Sequence, residues 1–401
     1  MRQLAILTFW IFVFTVPWQN TVLVVEVGTI SQAVGVVAFV AAILACLSEA
    51  KVRRPDRTLL LAAAFVLYAA TSILWSQSSE ITVPKVMTLA QLFLMLWVSS
   101  ELIADGSQIQ SLMSAYVLGA LVGALAILWQ VASGNADQDA RFAAQGFNPN
   151  DQALTLALAI PMCFRLAGLR THLWLNLLYI GYLIAAPAAI AVTGSRAGAL
   201  AAVAAFGVSL LGLRGGVRRS KRAMLIAIVA AGAFCAIAFV PEASWGRLST
   251  IGEQVSAGDL NRRTTVWAAG AKGFMTHPLL GVGEGAFLQV TEKYVGEGMV
   301  AHNTFMSVLV ELGLIGFILF SLLIASMTQA IRRMNSDVRW LWAGVATTWC
   351  VGVFAATWET QKATWLVLAF IAAESRLPTA STVAVDVHED LATGQYGFSR
   401  Q

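Results

Sequence analysis

Four short segments hold the residues able to move charge or protons: "TGSRAG" with Ser195 and Arg196, "GRLSTI" with Arg247, "NRRTTVW" with Arg262 and Arg263, and "AHNTFMSVLVELGLIGFILF", which opens on His302 and Asn303. The arginine guanidinium is a planar fork matched to phosphate oxygens, so several around one spot would make a diphosphate clamp. Ser195 suits a helix N-cap and Arg196 its first turn, where a cation opposes the positive end of the helix dipole unless an anion lies between them. With an anion present, the unpaired backbone N–H groups and the guanidinium would converge on it. The alternative for Arg196 is an interfacial arginine reaching lipid headgroups. A neutral imidazole at His302 could take a proton from a hydroxyl near pH 7, whereas the plainer reading is a loop histidine at a helix start.

Other polar residues surround these. Arg141 and Asn150 lie in an apparent outer loop, and "FNPND" reads as a turn capping the helix that follows. Lys85 belongs to the same side. On a straight helix at 100° per residue, Gly313 and Gly316 share the His302 face, while Glu311 points away and lies ~13 Å deeper, where an ionisable group marks a partner or a pathway.

The elements that must position these residues are membrane helices. Of 401 residues, 58% are hydrophobic and 12% charged, and the mean hydropathy is +0.72, far from an ordinary soluble domain. About twelve apolar runs approach the length needed to cross a bilayer, from Leu4–Val25 to a tenth at Asn303–Ile331 and a short last one at Ala363–Ala373. The first has no small-residue cleavage site behind it and reads as a retained helix, not a signal peptide. Cys46, Cys163, Cys235 and Cys350 fall inside apolar runs without C-x-x-C spacing, as buried core residues and not a metal or disulfide framework.

With the N-terminus in the cytoplasm, most Lys and Arg fall on the inner side, including Lys51, Arg53, Arg54, Arg57, Arg170, Arg214, Arg218 and Arg400. That satisfies the positive-inside rule with both termini cytoplasmic. It also removes the nucleic-acid reading that a net charge of +4 would suggest in a soluble protein. Lys85, Arg141, Arg196, Arg247, Arg262, Arg263, Lys272, Lys293 and Lys362 remain outside; arginines kept there against the bias suit an anionic client on that face, whereas Lys272, Lys293 and Lys362 read as the ordinary charge of outer loops. The expected organisation is an N-terminal bundle over residues 1–241, a large periplasmic loop over 242–302, C-terminal helices over 303–374 and a disordered cytoplasmic tail over 375–401. Within the loop a helix is predicted near Thr264–Met275, stopped by His277-Pro278. "DQD" at Asp137–Asp139 is a chance-level match to an acidic sugar-nucleotide pattern, and "GVGEGAF" reads as a turn without phosphate-loop spacing.

Taken together, the segments resemble the O-antigen ligase and O-antigen or exopolysaccharide polymerase superfamily. His302-Asn303, nine residues, then Gly313 to Gly316 match its H-[N/S/Q]-x9-G-x-x-G motif. "TGSRAG" matches its Ser-Arg-small segment, and "RTTVWAAGAKGFMTHPLLGVGEGAF" its loop signature, which selects Arg263 over Arg262. Ile251 departs from the R-x3-L pattern after Arg247. The resemblance implies an all-α polytopic fold of about twelve transmembrane helices with one large periplasmic loop, GT-C-like, in a bacterial inner membrane. It implies transfer of a glycan from an undecaprenyl-diphosphate carrier to a hydroxyl of lipid A-core or of a growing polysaccharide, with no metal or cofactor, alongside other polysaccharide-assembly membrane proteins.

In that reading Arg196 and Arg263, with Arg247, hold the leaving diphosphate, His302 is the general base in an inverting displacement, and Asn303 positions the acceptor. Ser195, Arg262, Arg141, Lys85, Asn150 and Glu311 complete the expected substrate-binding set. The modest length and short outer loop tilt the acceptor toward a polymerase. A transporter or flippase of lipid-linked glycans or small solutes is the alternative. It predicts inverted repeats, broken helices and charges near the midplane, whereas the charges gather at one face. A purely structural scaffold is a third option, disfavoured by the arginine and histidine cluster.

Overall fold

The computed structural model describes residues 1–24, 28–49, 52–134, 141–169, 172–213, 219–249 and 262–377. Lys51, Arg170, Arg214, Arg218, Arg400, Asp137–Asp139, Ile251 and the tail from residue 378 lie outside the described residues. In chain order the helices are α1 Arg2–Thr15, α2 Ile30–Glu49, α3 Arg57–Thr71, α4 Ser79–Leu102, α5 Gly106–Ala132, α6 Pro149–Gly168, α7 Leu173–Val192, α8 Arg196–Gly212, α9 Arg219–Phe239, α10 Glu242–Ser249, α11 Arg263–Thr276, α12 Phe287–Val295, α13 Thr304–Arg333, α14 Ser336–Val353 and α15 Lys362–Ser375.

Each apolar run of the sequence is largely helical, and α2, α3 with its following turn, α4, α5, α7 and α13 are long and apolar enough to cross a membrane. The protein is thus an all-α polytopic membrane protein with one small departure. The first run was expected to continue to Val25, but α1 stops at Thr15 and Pro17 sits in a 3-10 turn. Proline has no N–H to donate to the carbonyl of Val13, four residues back, so the α-helix cannot run through it. A two-residue antiparallel pair follows, β1 Leu23–Val24 on β2 Gly28–Thr29, with Leu23 opposite Thr29 and Val24 opposite Gly28.

Two helices form the centre. In α6 nearly every residue from Gln152 to Phe164 is buried, and in α15 all of Ala363 to Ala373 are. Helices that are apolar on every side bury themselves within protein. Around them α2, α3, α8 and α9 expose Val37, Val40, Leu60, Leu67, Val203 and Phe234, a rim of large apolar side chains suited to lipid. α8 packs against α6 and α14, and α7 against α5 and α9.

The bundle has two chemically distinct ends. At one, Arg2 pairs with Glu49 at 2.9 Å and Arg376 with Asp56 at 3.6 Å, and the Arg53 backbone N–H donates to Glu101 at 3.0 Å. The other end gathers the starts of α8, α11, α13 and α15, and with them the residues singled out above.

Candidate functional site

The turn between α7 and α8 seats two arginines. Around Gly194, a Cβ would lie 3.3 Å from Arg247 Cδ and 3.9 Å from Arg141 Cγ. Arg141 is buried and donates from Nε to the Thr193 carbonyl and from Nη2 to Asn150 Oδ1, both at 2.9 Å. Ser195 caps α8 by accepting from the Gly198 N–H at 3.1 Å, and Arg196 Nε donates to the Arg247 carbonyl at 2.8 Å, which ties α8 to α10. Arg263 opens α11 and donates from Nη2 to the Ala355 carbonyl at 3.3 Å.

These groups feel one another in sequence. Arg247 acts electrostatically on Arg196. Burial and then the Arg196 guanidinium hold Arg263 below the usual arginine range. Burial and then Arg263 hold His302 below the usual histidine range, so its imidazole is neutral at pH 7. A neutral imidazole beside a run of cations is able to accept a proton while an anion occupies the cations.

His302 is fixed by its neighbours. Its backbone is left-handed, φ 46°, an uncommon state for a residue with a side chain. Next to it Asn303 caps α13, accepting from the Met306 N–H at 3.0 Å, and its amide donates to the Phe354 carbonyl at 3.3 Å. Thr304 Oγ1 donates to the Ala356 carbonyl at 2.8 Å and accepts from the Trp358 N–H at 2.9 Å. Asn303 therefore holds the seat of His302, with both polar atoms of its amide engaged. Arg262 turns elsewhere: its backbone is left-handed at φ 62°, and its guanidinium pairs with Glu297 at 3.0 Å in an exposed ion pair.

The straight-helix geometry expected for α13 does not hold. Gly313 has φ 64° and ψ −166°, which breaks the helix. Into the break comes the backbone of Pro278–Gly283. Val282 N donates to the Val310 carbonyl at 3.1 Å and Gly283 N to that of Glu311 at 2.8 Å, while Leu314 N and Ile315 N donate to the carbonyls of Pro278 at 2.9 Å and Leu279 at 3.3 Å. Those four groups are the ones that would pair 310 with 314 and 311 with 315 in an unbroken helix. The loop thus replaces two lost helical bonds with four of its own. Tyr68 donates to the carbonyl left at Leu312, at 3.1 Å.

Glu311 was expected among the substrate-binding residues, but it binds the protein's own loop. Only 5% exposed, it accepts from Gly285 N at 2.7 Å, Phe287 N at 3.3 Å and Ser307 Oγ at 3.2 Å. Its carboxyl oxygens thereby sit at the start of α12 and satisfy N–H groups that have no partner within the helix. Lys85, also expected to meet substrate, reaches the same interior: a Cβ on Gly285 would lie 2.9 Å from its Cγ, and it acts on Glu284, Glu311 and Glu359. Glu359 Oε1 lies 3.3 Å from the Ser307 hydroxyl. Glu284 is 1% exposed with neither carboxylate oxygen hydrogen-bonded. Burial, then Glu311 and Glu359, push its carboxyl well above the usual range, and burial raises Glu359. Sequence reading set "GVGEGAF" aside as a turn and passed over Glu359; for Glu284 a glutamate inside an apolar, glycine-rich segment was the available signal.

Glu311→Ala is expected to strand two buried backbone N–H groups, at about 1–3 kcal/mol each. Thermal unfolding in detergent should show a lowered midpoint, with Glu311→Gln, which keeps an acceptor, falling between the two.

A model of the family described as O-antigen ligase matches residues 180–321. The match takes in Arg196, Arg247, Arg263, His302, Glu311 and Gly313 and leaves Arg141, Lys85 and Asn150 outside it. No curated protein matches the chain.

Proposed function

We propose an inverting envelope glycosyltransferase that moves a glycan from undecaprenyl diphosphate to an acceptor hydroxyl at the periplasmic face, a reading supported by the match of residues 180–321 to the family described as O-antigen ligase. The observation that carries this reading is the succession of Arg247, Arg196, Arg263 and His302 at one end of the bundle, each within electrostatic reach of the next. The proposed topology has about twelve crossings, a GT-C-like arrangement and both termini in the cytoplasm. Arg2, Arg53 and Arg376 at the opposite end accord with the positive-inside rule.

In the proposed step the acceptor hydroxyl gives its proton to the neutral imidazole of His302 as its oxygen attacks the anomeric carbon. The bond from that carbon to the diphosphate oxygen breaks, and the electron pair leaves with the carrier. Arg196, Arg263 and Arg247 take up the charge that develops on the departing diphosphate, preorganised donors being worth most where charge grows. One displacement inverts the anomeric centre. Asn303 and the hydroxyl bonds of Thr304 keep the imidazole in place, and Arg141 with Asn150 buttresses the Gly194 turn beneath the arginines.

Charge neutralisation falls to arginine in this scheme, so EDTA is expected to leave the rate unchanged. Arg263→Ala should lower kcat by about 10²–10³-fold, the size of loss seen when one transition-state donor is removed. The assay uses purified protein in detergent with a polyprenyl-diphosphate glycan, scored for transfer to lipid A-core against chain extension. The product names the acceptor and separates ligase from polymerase. One feature favours a transporter, the break in α13, but the protein's own loop fills that break and no ion pathway is needed to account for it. Passage of labelled substrate across vesicles without transfer to any acceptor would overturn the transferase reading.

A further inference from the structure

A second feature of the same end lies away from the arginines. Between α1, α2 and α4 is a cavity of about 300 Å³. Gln19, Ser31, Gln32, Thr360, Gln361 and Lys362 line its rim, the end at the start of α2 and α15, and Phe9, Phe12, Phe39, Leu92 and Met95 line the rest of the wall, where Thr88 and Gln91 of α4 are the polar exceptions. From Ile30 to Phe39 the wall descends ~13 Å along α2 at 1.5 Å per residue. Val36 lines the cavity and is itself exposed, so the groove opens on the apolar rim of the bundle.

Lys362 is the cation of this rim. Its Nζ donates to Gln19 Oε1 at 2.6 Å and to Ser31 Oγ at 2.9 Å. Both partners are neutral, and among the described residues no carboxylate forms an ion pair with it. An ammonium has three donors, and neutral acceptors solvate its charge without neutralising it. A half-buried cation above an apolar groove that opens to lipid calls for an amphiphile with an anionic head. The charge count selects the head: one lysine balances one phosphodiester, whereas a diphosphate carries more charge than the rim can match. The rim amides supply hydrogen-bonding partners for glycerol hydroxyls.

We propose that this groove binds one singly charged glycerophospholipid of the surrounding bilayer, its phosphodiester at Lys362 and an acyl chain along α2 and α4. The site is separate from the arginine cluster and the inference does not rest on the transferase reading.

The test places the full-length protein in phosphatidylcholine nanodiscs with trace photo-crosslinkable phosphatidylglycerol or phosphatidylcholine, and maps crosslinks by mass spectrometry. The phosphatidylglycerol probe, whose head carries a net negative charge where that of phosphatidylcholine carries none, is expected to label peptides spanning 31–39 and 91–98 about tenfold more, a difference of about 1.4 kcal/mol. Lys362→Gln should abolish that excess. Gly35→Leu, whose Cβ would meet the Phe12 ring at 3.2 Å, fills the groove and should lower labelling by both probes. Equal labelling by the two probes in the unmodified protein overturns the proposal, as does an undiminished excess in Lys362→Gln. Displacement of the probe by unlabelled undecaprenyl phosphate more readily than by unlabelled phosphatidylglycerol also overturns it, by assigning the groove to the carrier lipid.

Discussion

His302→Ala is expected to lower glycan transfer by about 10²–10⁴-fold, the usual contribution of a positioned general base, with donor affinity close to unchanged. The separation follows from where the parts sit: the cations that would hold the diphosphate come from α8, α10 and α11, while the imidazole comes from the start of α13. Retained binding of the polyprenyl-diphosphate donor with lost turnover would bear out the division of labour. Loss of binding with a normal rate at saturation would assign His302 to the donor instead.

The pH dependence gives the same hypothesis a sign. Only the neutral imidazole accepts a proton, so the rate must fall as pH drops through the His302 pKa. Burial and Arg263 hold that pKa below 6.5, so kcat/KM, which reports the free enzyme, should be level at neutral pH and decline with a midpoint under 6.5. A bound diphosphate offsets Arg263 and favours the imidazolium, and the midpoint of kcat should therefore lie higher than that of kcat/KM. Removing Arg263 acts in the same direction on the free enzyme. Identical profiles for kcat, kcat/KM and Arg263→Gln would show that the imidazole does not sense the proposed anion site.

The sequence exposed the helices because apolar run length reports directly on the bilayer, and the runs of α1 to α9 and α13 to α15 needed no knowledge of packing. Ser195 as a cap and the helix of α11 were legible for an equally local reason, since capping and proline stops act within a turn. The arginines could be nominated by type but not arranged, because the contact of Arg196 with Arg247 crosses 51 residues and that of Arg263 with Ala355 crosses 92. A straight helix set Glu311 apart from His302 as a buried group in need of a partner, but could not say that the partner is the protein's own loop. The role of Glu311 depends on a glycine conformation and an inserted loop, neither of which shows in hydropathy. Lys85 and Glu359 meet Glu284 only through tertiary packing, and a turn reading of "GVGEGAF" was right about the backbone while missing the carboxylate it carries inward.

The glycine that the motif places ten residues beyond Asn303 has the largest structural consequence. At φ 64° and ψ −166° Gly313 occupies backbone space essentially closed to other residues, a strain of about 1–3 kcal/mol for alanine. A Cβ there would also stand 2.6 Å from Gly281 N and closer still to the Leu279 carbonyl oxygen. These are backbone atoms of the inserted loop, so no rotamer change relieves the clash. Moving the loop breaks its four bonds to α13, worth about 0.5–1.5 kcal/mol each. Gly313→Ala should thus remove roughly 3–9 kcal/mol, comparable to the whole stability of an ordinary domain. Thermal unfolding in detergent should find no cooperative transition near the wild-type midpoint, and protease should gain access to residues 278–283. Gly207→Ala is the matched control, for a Cβ there meets nothing within 4 Å, and it should be neutral or raise stability by up to about 1 kcal/mol. If Gly313→Ala unfolds with the wild type, the loop does not hold α13 as described. If it folds but loses transfer, the inserted loop acts on chemistry through α11, whose last residue precedes it and whose first residue is Arg263, and the motif glycine is then a positioning residue for the arginine that faces His302.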